Sequence, residues 1–202
     1  MKPEKKQDKQ KIRKGEKMDF ISNILELRAR ARKQIEEGAV TQDYPLNREQ
    51  VVGILNAALA TEIVCVLRYR YHYFAARGIH SAAVAEEFLQ HSNEEQQHAD
   101  MLAARIMQLG GKPEMNPAGL TGLSHSEYKE GSSLDEMIRE DLIAERIAIE
   151  SYREMINFFG DKDTTSRRML EEILAKEEEH ADELSDLLVE VDKPVSAKKR
   201  TA

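Results

Sequence analysis

The chain has 202 residues, enough for one domain with a proper core, and its 33% charged and 5% aromatic composition is that of a helical protein. The single cysteine, Cys65, excludes an internal disulfide or a Cys-x-x-Cys metal knuckle, and the absence of a signal segment or an apolar run near the ~18 residues of a membrane span predicts a cytoplasmic protein, with no membrane contact. The net charge of −7 divides into +5 on residues 1–17, +4 on residues 193–202 and −16 on residues 18–192, an acidic body whose basic ends can touch a polyanion such as DNA.

Residues 1–17 have almost no apolar side chains and are expected to be a disordered basic tail. A short amphipathic helix and linker occupy 18–45. The helix is expected from Asp19 to Glu37, with Phe20, Ile21, Ile24, Leu25 and Ile35 on its apolar side and Gly38 as its stop. Residues 46–192 then hold four longer helices. The first has Asn47 as N-cap, Gln50 at N3, and Leu46 and Val51 spaced for a hydrophobic staple; it runs to Arg77. The second opens after Ser81 and stops at Gly110-Gly111, with Pro113 beyond. The third begins at a capping box, Ser133-Leu134-Asp135-Glu136, and ends at Gly160. The fourth starts near Asp163 and fades before Pro194, leaving 193–202 as a basic tail. Links of about three residues after the first and third helices force antiparallel neighbours, whereas about 22 residues separate the second from the third. The expected fold is therefore all-α: an antiparallel four-helix bundle with one long crossover between its second and third helices.

One spacing occurs twice. Glu62 is followed 33 residues on by Glu95-x-x-His98, and Glu145 is followed 32 residues on by Glu177-x-x-His180. All six residues fall on the apolar seams of their helices, which read Leu55, Leu59, Glu62, Val66, Tyr69 on the first and Ile138, Leu142, Glu145, Ile149, Tyr152 on the third. The bland reading, solvated glutamates in Glu-rich helices, fails on energetics. Ionised carboxylates buried without partners cost several kcal/mol each, on the order of what a small domain can spare. Two divalent ions balance four carboxylates, and neutral histidines complete the shell without adding charge. Oxygen-rich ligands with one imidazole per ion suit iron or manganese better than zinc.

At these residues the chain resembles the ferritin-like superfamily, and bacterioferritin most closely. His98-Ala99-Asp100 after Glu95, and the run from Leu142 through Glu145 to Glu177-x-x-His180, are similar to that family's second to fourth helices, over about residues 45–190. The resemblance implies that Glu62 and His98 bind one iron, Glu145 and His180 the other, and that Glu95 and Glu177 bridge them. It implies a ferroxidase: Fe2+ oxidised by O2 or H2O2, two irons per subunit, with ferric mineral stored in a hollow homo-oligomeric shell. Three departures stand out. Gln96 occupies the place where bacterioferritin has a haem-ligating methionine, so no haem is expected there. Val189 to Ala202 is unsuited to bacterioferritin's fifth helix. The Lys-rich ends instead resemble Dps-type mini-ferritins, which suggests a shell of 12 subunits, or 24, and DNA contact through the tails. Alternatives are a di-iron or di-manganese peroxidase or oxygenase without storage, and a Dps-like DNA-protecting protein.

Other residues are weighed singly. Tyr69, seven after Glu62, corresponds to a bacterioferritin tyrosine able to donate an electron; the commoner role is a core tyrosine bonding a ligand carboxylate. His91 and Asp141 each precede a ligand glutamate by four and are expected beside the site, His91 more simply as a hydrogen-bonded core histidine. Glu94 is a candidate iron relay, Cys65 reads as inert packing, and His72, His80 and His125 carry no assigned role.

Overall fold

A computed structural model describes residues 23–77 and 81–191; the expected tails at 1–17 and 193–202, and Phe20, Ile21 and His80, lie outside them. Six α-helices and no strand occur among the described residues: α1 Ile24–Arg30, α2 Arg48–Ala75, α3 Ser81–Gln108, α4 Pro117–Leu123, α5 Leu134–Phe159 and α6 Thr164–Val191. Helices α2 and α3 pack as one hairpin, α5 and α6 as another, and the two hairpins face each other through α2–α5 and α3–α6 contacts. The pairing is antiparallel throughout: Tyr69 of α2 meets Glu145 of α5 while Tyr152 meets Glu62.

The ends of the long helices follow from local chemistry. Asn47 accepts from the Gln50 amide, and Ser133 accepts from the Glu136 amide, so both expected N-caps are made. The Glu136 carboxylate, however, reaches back to the amide and hydroxyl of Ser132 rather than to Ser133. Asp163 caps α6 by accepting from the Ser166 amide at 3.0 Å, and its carboxylate also receives Arg105 at 2.9 Å and the Tyr44 hydroxyl at 2.7 Å. That one aspartate ties the end of α3, the start of α6 and the N-terminal linker together. Gly110 closes α3 with φ +74°, and a Cβ on Gly111 would sit 2.5 Å from Val52, so this turn needs glycine twice.

Three expectations change. α2 stops at Ala75 rather than Arg77, because the Arg77 guanidinium folds back onto the Phe74 and Ala76 carbonyls at 2.8 Å. Of the helix expected over 19–37, residues 19–22 lie outside the described part, and within 23–37 it is broken into the seven-residue α1 and a 3-10 turn at Ile35–Glu37, with Gln34 left-handed between them at φ 52°. It buries no residue, and a lone helix of that length gains too little to propagate. The long crossover, expected as loop, contains α4, capped by Asn116 and packed on α2 through Leu120 against Ala60 and Val64. The composition of α2 also corrects the statement that no segment is long and apolar enough for a membrane span. Arg48–Ala75 is, by length and a mean hydropathy of 1.9 over 18 residues, but half of that window is buried in the bundle.

The core is split. Leu55, Leu59, Leu102, Ile106, Phe159, Leu170 and Ile173 fill one end, and Val84, Phe88, Ile138 and Leu184 fill the other. Burying each such side chain contributes about 1.5–3 kcal/mol, enough to hold the four helices together around a polar layer between the two plugs.

Candidate metal centre

That polar layer is made by the six seam residues. Glu62, Glu95, His98, Glu145, Glu177 and His180 are all buried, none more than 6% exposed. Their side-chain donor atoms form two quartets, Glu62–Glu95–His98–Glu177 and Glu95–Glu145–Glu177–His180, each with all four atoms within 4.8 Å of one another. Glu95 and Glu177 belong to both. The Glu-x-x-His spacing achieves this because residues three apart lie on one helix face, so each carboxylate and its imidazole look across the bundle at the other hairpin's pair.

The contacts are close but poorly aligned for hydrogen bonding. His98 Nδ1 lies 2.8 Å from Glu177, 3.3 Å from Glu95 and 3.5 Å from Glu62; His180 Nδ1 lies 3.2 Å from Glu95 and 3.7 Å from Glu177. Yet Glu62 Oε2, Glu95 Oε1, both Glu177 oxygens and His180 Nδ1 have no hydrogen-bond partner. Five buried polar atoms without partners cost about 1–3 kcal/mol each unless something else binds them. They belong to the two quartets, whose donor atoms lie close enough to share an ion, and the donor set fits two oxygen-preferring divalent ions.

The protonation pattern balances charge within the metal-free layer. Burial and the Glu177 and Glu95 carboxylates push Glu62 well above the usual carboxylate range, and burial with Glu95 and Glu177 does the same to Glu145. Burial also acts to raise Glu95 and Glu177, but the facing histidines and protonated glutamates outweigh it and hold both low. Burial pushes both imidazoles down, but Glu177 and its neighbours keep His98 protonated, and Glu177 and Glu95 lift His180 to about 12. The imidazoles thus favour the charged form beside two carboxylates that are held low, while Glu62 and Glu145 favour the neutral form.

The surrounding groups fix the ligands. Tyr69 donates to Glu145 and Tyr152 donates to Glu62, so each hairpin's tyrosine holds the other hairpin's terminal glutamate. Tyr152 was legible, seven residues after Glu145 as Tyr69 is after Glu62, but it carried no role in the sequence. His180 Nε2 donates to Glu94 at 2.7 Å, which leaves Nδ1 facing the carboxylates of the layer; Glu94 therefore orients the His180 ring. His91 is buried, hydrogen-bonded and stacked on His180 at 4.0 Å.

Asp141 does not touch the six. It takes the fully buried Arg68 at 2.8 Å and His72 at 2.7 Å, and these two also bond the Glu127 and Glu130 carbonyls of the crossover. Arg68 and His72 were missed, since nothing in a sequence tells a buried arginine from a surface one. Cys65 lies beside Arg68 and Ser126, and burial raises its thiol well above the usual range, consistent with inert packing.

A ferritin-like domain family model matches residues 52–193. The chain belongs to the ferritin-like family. Among this family's solved structures, the bacterioferritin-related dodecameric thioferritin of Bacteroides fragilis is 32% identical with a TM-score of 0.70, covering 72% of this chain and 88% of that one. The bacterioferritin of Rhodobacter capsulatus is 29% identical over 134 residues, 66% of this chain and 79% of its own. Its structure, described as having a metal-free dinuclear site and heme iron, matches with a TM-score of 0.64 over 71% of this chain and 86% of that one. A Dps from Thermosynechococcus elongatus shares the ferritin-like fold at 19% identity, with a TM-score of 0.68 over 74% of this chain and 95% of that one.

Proposed function

We propose that this protein is an iron-storage and detoxification ferroxidase that oxidises Fe2+ at a dinuclear centre within each subunit. One observation carries the reading: two buried ligand quartets sharing Glu95 and Glu177, with orphaned oxygens and a nitrogen among their side chains. In this reading Glu62 and His98 hold one ion, Glu145 and His180 the other, and Glu95 and Glu177 bridge. A pair of Fe2+ ions supplies two electrons at once, enough to take O2 to H2O2 or H2O2 to water.

The protein's own part is to bind, orient and balance charge. Tyr69 and Tyr152 fix Glu145 and Glu62, Glu94 fixes the tautomer of His180, and the apolar plugs above and below exclude water. Four carboxylates balance two divalent ions, or two ferric ions with one oxide, without changing the net charge of the layer. Manganese fits the same donors by type. Tyr69 and Tyr152, both in contact with a terminal ligand, are the side chains able to supply an electron to the centre.

The relatives support a homo-oligomeric shell, of 12 subunits as in the thioferritin, and a cytoplasmic home. The expectation that haem is absent draws no support from them, because the Rhodobacter capsulatus protein carries heme iron. It rests on Gln96, an exposed amide that is a poor iron ligand, and a Soret band after haemin reconstitution would refute it. DNA contact is a separate reading that rests on the charge of the two ends. Gel retardation lost on deleting residues 1–17 supports it; unchanged retardation removes it. For the ferroxidase itself, aerobic Fe2+ should give rapid ferric absorbance in the wild type and only the uncatalysed background in Glu95→Gln/Glu177→Gln. A particle that oxidises iron but elutes without it is a catalyst and not a store.

A further inference from the structure

We propose that Glu87, His91 and Glu183 form a third divalent-cation site, one imidazole stack away from the dinuclear centre. Glu87 and His91 are one turn apart on α3, Glu183 faces them from α6, and their donor atoms all lie within 4.8 Å of one another. His91 Nε2 is 2.9 Å from Glu183 and 3.4 Å from Glu87.

Hydrogen-bond roles around His91 point to a cation. The single Tyr69 hydroxyl proton goes to Glu145, so at 3.2 Å the Tyr69 oxygen can only accept, and His91 Nδ1 must donate to it. The neutral ring then turns the Nε2 lone pair toward two carboxylates. A proton on Nε2 serves the nearer one, Glu183 at 2.9 Å, and leaves Glu87 at 3.4 Å from Nε2 and close beside a second carboxylate. A metal ion serves all three. An imidazole whose second nitrogen is fixed by a hydrogen bond is the usual form of a histidine ligand, and one nitrogen with two carboxylates suits Fe2+, Mn2+, Co2+ or Zn2+.

The site differs from the centre in access. Glu87 and Glu183 are 29% and 36% exposed, so an ion held here would be open to water, as a cation in exchange requires. His91 stacks on His180 at 4.0 Å and 20°, and Glu94, three residues after His91 on α3, accepts from His180 Nε2. An ion held here is positioned to supply the centre. That supply role rests on the ferroxidase reading, whereas the binding does not.

The test is anomalous diffraction from crystals loaded anaerobically with Co2+, which is not oxidised under these conditions. A peak is expected within bonding distance of His91 Nε2, Glu87 and Glu183, together with a pair among the six central ligands. Glu183→Gln should abolish the outer peak and keep the pair, and Glu87→Gln gives a second variant should the first fail to fold. The pair without the outer peak in the wild type overturns this inference and leaves the ferroxidase reading standing. The outer peak without the pair does the reverse. For the supply role, Glu183→Gln should slow first-turnover oxidation several-fold at limiting Fe2+; a wild-type rate overturns it.

Discussion

At the scale of single residues, metal binding at the proposed centre would displace protons. Burial and neighbouring carboxylates raise Glu62 and Glu145, and facing carboxylates raise His98 and His180, so each favours its protonated form in the metal-free layer and must lose a proton to coordinate. Filling the centre should therefore release protons, measurable by calorimetry in two buffers of different ionisation enthalpy. The same groups set the pH dependence of the metal-free fold. Their folded-state values are raised, so their contribution is fully present below the unfolded values and is lost as pH rises through the folded ones. For His180 that window runs from 6.5 to about 12. The metal-free melting temperature should fall steadily above neutral pH while the gap to the metal-loaded protein widens. Tyr152→Phe removes one buried hydrogen bond to Glu62 at a cost of about 1 kcal/mol in the metal-free protein. The ions should still bind, with slower oxidation seen by stopped-flow absorbance.

At the scale of elements, the Arg68–Asp141–His72 cluster joins α2 to α5 and pins the crossover. Asp141→Asn leaves the buried Arg68 guanidinium without its counter-charge, and breaking such a pair costs about 3–5 kcal/mol, which denaturant titration would detect. By contrast, Leu25→Ser in α1 should change stability by less than about 0.5 kcal/mol, because Leu25 is 70% exposed. These two cases mark what could be read from the sequence. The long helices, their caps at Asn47 and Ser133 and the burial of the six seam residues in one layer were legible, since seam periodicity and capping chemistry are local. The length of α1 was not, because Ile24, Leu25 and Ile35 have the right spacing but are left exposed on the subunit. The Arg68 cluster was invisible for the opposite reason: its partners are 59 and 73 residues away, and only the packed bundle brings them together.

At the scale of the whole molecule, the exposed apolar side chains suggest where subunits meet. Leu67 and Phe74 on the outer face of α2 are 54% and 68% exposed. In a shell such side chains are covered by a neighbouring copy. Leu67→Asp with Phe74→Asp should then lower the mass seen by light scattering while leaving helicity unchanged. In the proposed function, storage would depend on that shell and oxidation only on the layer inside each subunit.

The most direct test of that layer is anaerobic Fe2+ binding, compared between the wild type and Glu95→Gln/Glu177→Gln. Removing the two shared carboxylates should cost about two ions per chain, because each ion loses both of its bridges. Equal binding by the two proteins would mean that the six buried side chains do not hold metal.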